Sequence, residues 1–200
     1  RAALVLADEI FLAVHQRAAF VVARMMDVRA VGLHVPGGRG VGHLQVHIAN
    51  QLVDLLGRML QSSQFVIDAG GDLLIHAEQP ISVALEDPED QSHAIGIAHI
   101  ANGALCASAP SRRHWNVAVN ERTQIAIHHL LNAIDGLPAQ QTEASWAYIP
   151  ANATLNLARD YPTAVADGLA TALFVSDVAQ LQRTFDFTYA TLDESRQIAV

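Results

Sequence analysis

Apolar residues recur with a helical period most clearly in His43–Leu60 of this 200-residue chain. Ile48, Leu52, Leu55, Leu56 and Met59 follow an i, i+4, i+7, i+8, i+11 spacing, with Asn50, Gln51, Asp54 and Arg58 opposite. That pattern predicts a helix with its apolar stripe in a core and its polar side in water. Before it, Pro36–Gly42 (PGGRGVG) reads as a flexible turn whose glycines allow close backbone approach to a ligand. Downstream the pattern shifts to short Ile- and Val-rich runs. Gln64–Asp68 predicts a buried strand broken by Gly70-Gly71, and Ile81–Leu85 a second, stopped by the turn-forming pair Asp87-Pro88. His93–Ile100, Trp115–Val119, Gln124–Leu130 and Ser145–Ile149 are further strand candidates. Thr163–Val175 predicts a helix, and Ser176-Asp177 caps a short one running to Gln182. Phe185–Leu192 and Gln197–Val200 close the chain as strands. This order fits a single α+β domain over residues 1–200, with helices packed on a mainly antiparallel mixed sheet.

The run Ala2–Val28 is apolar but interrupted by Asp8, Glu9, Arg17 and Arg24. No uncharged stretch reaches the roughly 18–20 residues of a membrane span. The basic start and small-residue cleavage pattern of an export signal are not seen. A buried helix is expected there, making residues 1–63 a helical N-terminal part. Composition adds that 51% of residues are hydrophobic, enough for a sizeable core. A net charge of −8 argues against nucleic-acid binding. It does not argue against small anions, because one metal ion reverses the local sign. Cys106 is the only cysteine, so no intramolecular disulfide can form. Set in NGALCASA, it reads as a buried thiol rather than a nucleophile.

Candidate chemistry begins in Ala166–Phe174 (ADGLATALF), where Asp167 and Thr171 lie four apart in predicted helix and share a face. A carboxylate and a hydroxyl so placed can hold a hard cation such as Mg²⁺ and leave coordination positions for phosphate. Upstream, in order, stand Asp68–Asp72 (DAGGD), Glu86–Pro88 (EDP), Asn102–Ala109 (NGALCASA) and His128–Pro138 (HHLLNAIDGLP). Together the ordered set resembles the FAD:protein FMN transferases, the ApbE family of flavin transferases, over about residues 64–200. That family carries a Gly-Gly-Asp turn, a strand into Asp-Pro, an Ala-x-Thr-Ser-Gly segment, a His-His segment and an Ala-Asp-x-Leu-Ala-Thr-Ala helix.

The resemblance implies transfer of FMN from FAD to a Ser or Thr hydroxyl of an acceptor protein, with Mg²⁺ on the pyrophosphate and AMP released. It implies that Asp167 and Thr171 bind the metal together with a backbone carbonyl near Gly40. Gly70, Gly71, Asp72 and Ser108 would meet the cofactor. His129, the second of the His pair, would either accept the proton of the incoming hydroxyl or steady the pyrophosphate, so that His129 and Asp167 carry the chemistry. His128 reads as a satisfied structural residue. Family members often work outside the cytoplasm, attached to membranes or in the periplasm; this chain shows no export signal by which to place it.

Several positions depart from the family pattern. Ala107 and Ala109 stand in place of Thr and Gly, Asn132–Gly136 replaces Asp-Pro-x-Thr-Gly, Val41 stands where the glycine-rich loop carries lysine, and Val46 where Asp is usual. The first 35 residues show none of the family's flavin-contacting segment, and the chain begins at Arg1 rather than Met. A shortened or reduced member is therefore expected. Two further readings stay open: a flavin- or nucleotide-binding relative without turnover, and a homo-oligomer whose N-terminal apolar face packs on another chain.

Overall fold

The computed structural model describes residues 10–14, 20–25, 41–60, 64–120, 123–132 and 135–200. Eight strands form one sheet in the order β1-β2-β3-β4-β5-β8-β9-β10. They are β1 (Ile10–Val14), β2 (Phe20–Met25), β3 (Gln64–Asp68), β4 (Leu73–Glu86), β5 (Ala94–Ser108), β8 (Thr142–Pro150), β9 (Thr188–Asp193) and β10 (Ile198–Ala199). Every pair is antiparallel except β2–β3, whose parallel connection contains helix α1 (Val41–Met59). Strands β6 (His114–Asn120) and β7 (Thr123–His128) make a separate hairpin. Three shorter helices follow β8: α2 (Asn156–Asp160), α3 (Pro162–Ala172) and α4 (Val178–Gln182). The architecture is α+β, mostly antiparallel, as expected.

The N-terminal part departs from the expected helix. Ile10–Val14 and Phe20–Met25 are paired strands, and β2 lies beside β3. A continuous apolar run lacks the alternation that separates buried strand from buried helix, so its period carries no decision. Strands β4 and β5 are also longer than their predicted cores. The run through Pro80 keeps going by a register irregularity between His76 and Ile81, because proline has no N–H for the ladder. The small residues of Asn102–Ser108 form the inner half of β5, flanked by β4 and β8. Gly103 is required there. Its φ is +144°, and an added Cβ would lie 2.2 Å from the Ile149 carbonyl oxygen.

Helix α1 is rotated from its sequence-based orientation. Val53 is fully buried, but so are Asn50 (1% exposed) and Asp54 (2%), while Leu55 (44%) and Met59 (67%) face solvent. Of the supposed solvent side, Asn50 and Asp54 are turned inward, Asp54 against α3, while Gln51 and Arg58 stay exposed. Gly57 lets the helix sit close to the sheet, since a Cβ there would come within 2.5 Å of Leu74 Cδ2.

The sheet buries both of its faces. One side carries Phe65, Ile67, Leu74, Ala104, Cys106, Ala147 and Ile149 against Val53 of α1 and Ala166, Leu169 and Ala170 of α3. The other carries Ile75, Ala77, Ile100, Leu105, Ala144, Trp146, Ala190 and Leu192, with Ile81, Val83 and Leu85 of the outer β4 packed on them. The side under the helices holds the functional candidates.

Candidate functional site

Asp72 enters the site from the turn between β3 and β4. The turn is closed by the Ala69 N–H on the Asp72 carbonyl at 2.9 Å and the Gly71 N–H on Asp68 Oδ1 at 3.0 Å. Gly70 and Gly71 hold φ of +77° and +106°, a backbone that favours glycine, and a Cβ on either would meet no protein atom within 4 Å. Asp72 then faces the middle of β5 and the α3 face that carries Asp167. Burial first, and the Asp167 charge second, push its carboxyl up to about 7. The Cys106 thiol, the Asn50 amide and the Ala107 N–H oppose that rise by favouring its anion.

Helix α3 brings Thr163, Asp167 and Thr171 to one side at intervals of four residues. The Thr171 hydroxyl lies 3.2 Å from the Ser108 hydroxyl on β5. Cys106 is fully buried, its thiol donating to the Thr163 carbonyl at 3.4 Å, and burial pushes its pKa well up. The thiol is thus a buried group as expected, unsuited to nucleophilic work. Asp72, Ser108, Asp167 and Thr171 therefore gather between β5, the β3–β4 turn and α3.

His129 follows β7. Its backbone N–H and its ring Nδ1 both point to the Arg113 carbonyl, at 3.3 and 3.1 Å. A carbonyl only accepts, so Nδ1 carries the hydrogen and the basic lone pair of the neutral ring sits on Nε2. His128 is held on both nitrogens, donating from Nε2 to the Ala139 carbonyl at 3.0 Å and accepting the Leu130 N–H on Nδ1 at 3.3 Å. Gly40 lies outside the described residues; Val41 opens helix α1. Among the described residues no group of three or more His, Cys, Asp or Glu side chains is placed to hold a metal. The oxygens on offer are two carboxylates and two hydroxyls.

Three residues of the site's surroundings went unnoticed in the sequence. Asn50 and Asp54 were hidden by their place opposite the apolar stripe, and Ser145 by its place in a strand run. Ser145 is fully buried and donates to the Ala170 carbonyl at 2.6 Å. Asp54 accepts the N–H groups of Thr163 at 3.1 Å and Ala164 at 3.3 Å. The i, i+4 relation of Asn50 and Asp54 was the one available signal that a polar pair shares a face.

A family model described as the ApbE family matches residues 42–191, beginning in α1, upstream of the segment carrying the sequence motifs. Among solved structures the chain is similar to the ApbE protein of Thermotoga maritima, at 19% identity and a TM-score of 0.60. The match covers 78% of this chain and 48% of that one, so this chain spans about half the length of its structural relative. No curated protein matches. With three quarters of its length matched by the family model, the chain belongs to the ApbE family.

Proposed function

We propose that this chain transfers FMN from FAD to a Ser or Thr hydroxyl of an acceptor protein. The observation that carries the reading is the convergence of Asp167 and Thr171 of α3 with Ser108 of β5 and Asp72 of the β3–β4 turn. Their oxygen-only chemistry suits a hard divalent cation, and two carboxylates brought together favour positive charge between them. Asp167 and Thr171 would hold Mg²⁺, which when bound neutralises charge on phosphoryl oxygens. A backbone without Cβ atoms at Gly70 and Gly71 would let FAD come close beside Asp72 and Ser108.

In the transfer, the acceptor hydroxyl oxygen forms a bond to the FMN phosphorus as the pyrophosphate bridge breaks. AMP departs with the bridging oxygen. The hydroxyl proton passes to His129, whose Nε2 is the accepting nitrogen once Nδ1 donates to Arg113. Arg113 thus sets the tautomer, and the chain's task is otherwise positioning.

The test is FAD binding, followed by flavin fluorescence with and without Mg²⁺, and release of AMP on adding an acceptor peptide. We expect Mg²⁺-dependent binding, lost by about tenfold or more in Asp167→Ala. Binding unchanged by that substitution would remove Asp167 from the metal site. A second reading, a flavin-binding relative without turnover, is favoured by Val41 standing in place of a lysine at the start of α1. Tight FAD binding with no AMP under any acceptor condition would select it.

A further inference from the structure

Both ends of α3 are held by side chains from other elements. At its N-terminus the capping residue Tyr161 contributes no side-chain hydrogen bond, and Pro162 in the first turn has no N–H to offer. The next two N–H groups, of Thr163 and Ala164, go to the Asp54 carboxylate of α1 at 3.1 and 3.3 Å. That carboxylate also faces the positive end of the helix dipole. At the other end Ser145 of β8 donates to the Ala170 carbonyl, in the last turn, where carbonyls lack helical partners.

Asn50 stands one turn before Asp54 on the same side of α1 and is 1% exposed. Its amide faces Asp72 and favours the charged carboxylate, yet its Nδ2 closes no hydrogen bond. Helix α1 therefore reaches both segments that carry the acid pair: α3 through Asp54, and the β3–β4 turn through Asn50. Burying a carboxylate and an amide is unfavourable unless their partners compensate, so neither belongs to an ordinary helix surface.

We propose that Asn50 and Asp54 are positioning residues, through which α1 sets the Asp167 carboxylate against that of Asp72 and so fits the pair to a divalent cation. The proposal rests on the cation-site reading above. It differs from a plain helix cap, which would stabilise α3 without affecting what the acid pair binds.

The experiment is Mn²⁺ binding to the full 200-residue chain, read from the electron paramagnetic resonance of free Mn²⁺. Wild type is compared with Asp54→Ala, Asp54→Asn and Asn50→Ala, each with far-UV circular dichroism and hydrogen exchange at Thr163 and Ala164. In a folded Asp54→Ala chain we expect faster exchange at both amides and Mn²⁺ affinity lower by roughly tenfold, the scale for residues that orient ligands. Asp54→Asn, which keeps one acceptor oxygen, should recover part of that loss. Faster exchange with unchanged Mn²⁺ affinity would reduce Asp54 to a structural cap and overturn the proposal. If Asp54→Ala does not fold, Asn50→Ala decides: its affinity should fall at least threefold, and an unchanged affinity overturns the proposal equally. A wild-type chain that binds no Mn²⁺ would sink the cation-site reading itself, and this proposal with it.

Discussion

The two sides of the sheet solve the same packing problem with different materials. The side built on Ile75, Leu105, Trp146 and Leu192 is closed by apolar side chains of the sheet's own strands, among them Ile81, Val83 and Leu85. The side under α1 and α3 also has an apolar core, but through it runs a polar layer of Asn50, Asp54, Asp72, Ser145 and Thr163. All four fully buried polar residues among those described fall on this side. Apolar contact is non-directional, whereas hydrogen bonds fix orientation and leave a penalty when broken. Both sides bury apolar residues, and the one under the helices gives up part of that stability to hold charged groups in place.

Adjacent residues of β8 allow the contrast to be broken cleanly, because they point to opposite sides. Trp146→Ala, on the apolar side, should give the largest effect, a loss of about 3–5 kcal/mol in urea unfolding. A loss below about 1 kcal/mol would show that this side contributes little.

Asp72→Asn should give an effect of intermediate size that depends on pH. With a native pKa raised from 3.8 to about 7, folded Asp72 holds a proton that the unfolded chain has released between those values. The contribution of Asp72 to native stability is therefore fullest below pH 4 and is lost as pH rises through 7, by at most about 4 kcal/mol. Asp72→Asn should be close to wild type at pH 4 and more stable than wild type at pH 8. Equal stabilities at both pH values would mean that Asp72 ionises as an ordinary carboxylate.

Ser145→Ala is the smallest step. It strands the Ala170 carbonyl and should lose about 1–3 kcal/mol, read from thermal unfolding. A neutral result would show that the last turn of α3 finds another donor.

Much of this fold was legible where local signals agree. Gln64–Asp68 is the strand predicted, bound for bound, and Asp177 caps α4 by accepting the Ala179 N–H at 3.0 Å. The candidate site was legible as an ordered set of motifs, and the structure brings Asp72, Ser108, Asp167 and Thr171 together. What stayed hidden was tertiary. Ala104 and Cys106 were given no strand because small residues carry little β-propensity, yet they line a central strand on which a helix must sit closely. Asn50 and Asp54 read as solvated because amphipathicity reports where apolar groups lie and nothing about a polar partner on another helix.

The strands of the main sheet follow one another almost in the order of synthesis, from β1 at one edge to β10 at the other. Asp54 does not share that convenience, because its partners Thr163 and Ala164 lie 109 and 110 residues ahead of it. A growing chain can assemble β3, β4 and β5 as neighbours, but Asp54 waits without its partners until α3 emerges and folds back. Closing so long a loop is entropically demanding, with its contact contributing nothing until the ends meet. The acid pair therefore cannot close before α3 is made, and a chain halted before residue 163 carries half of a site under a face with nothing to cover it.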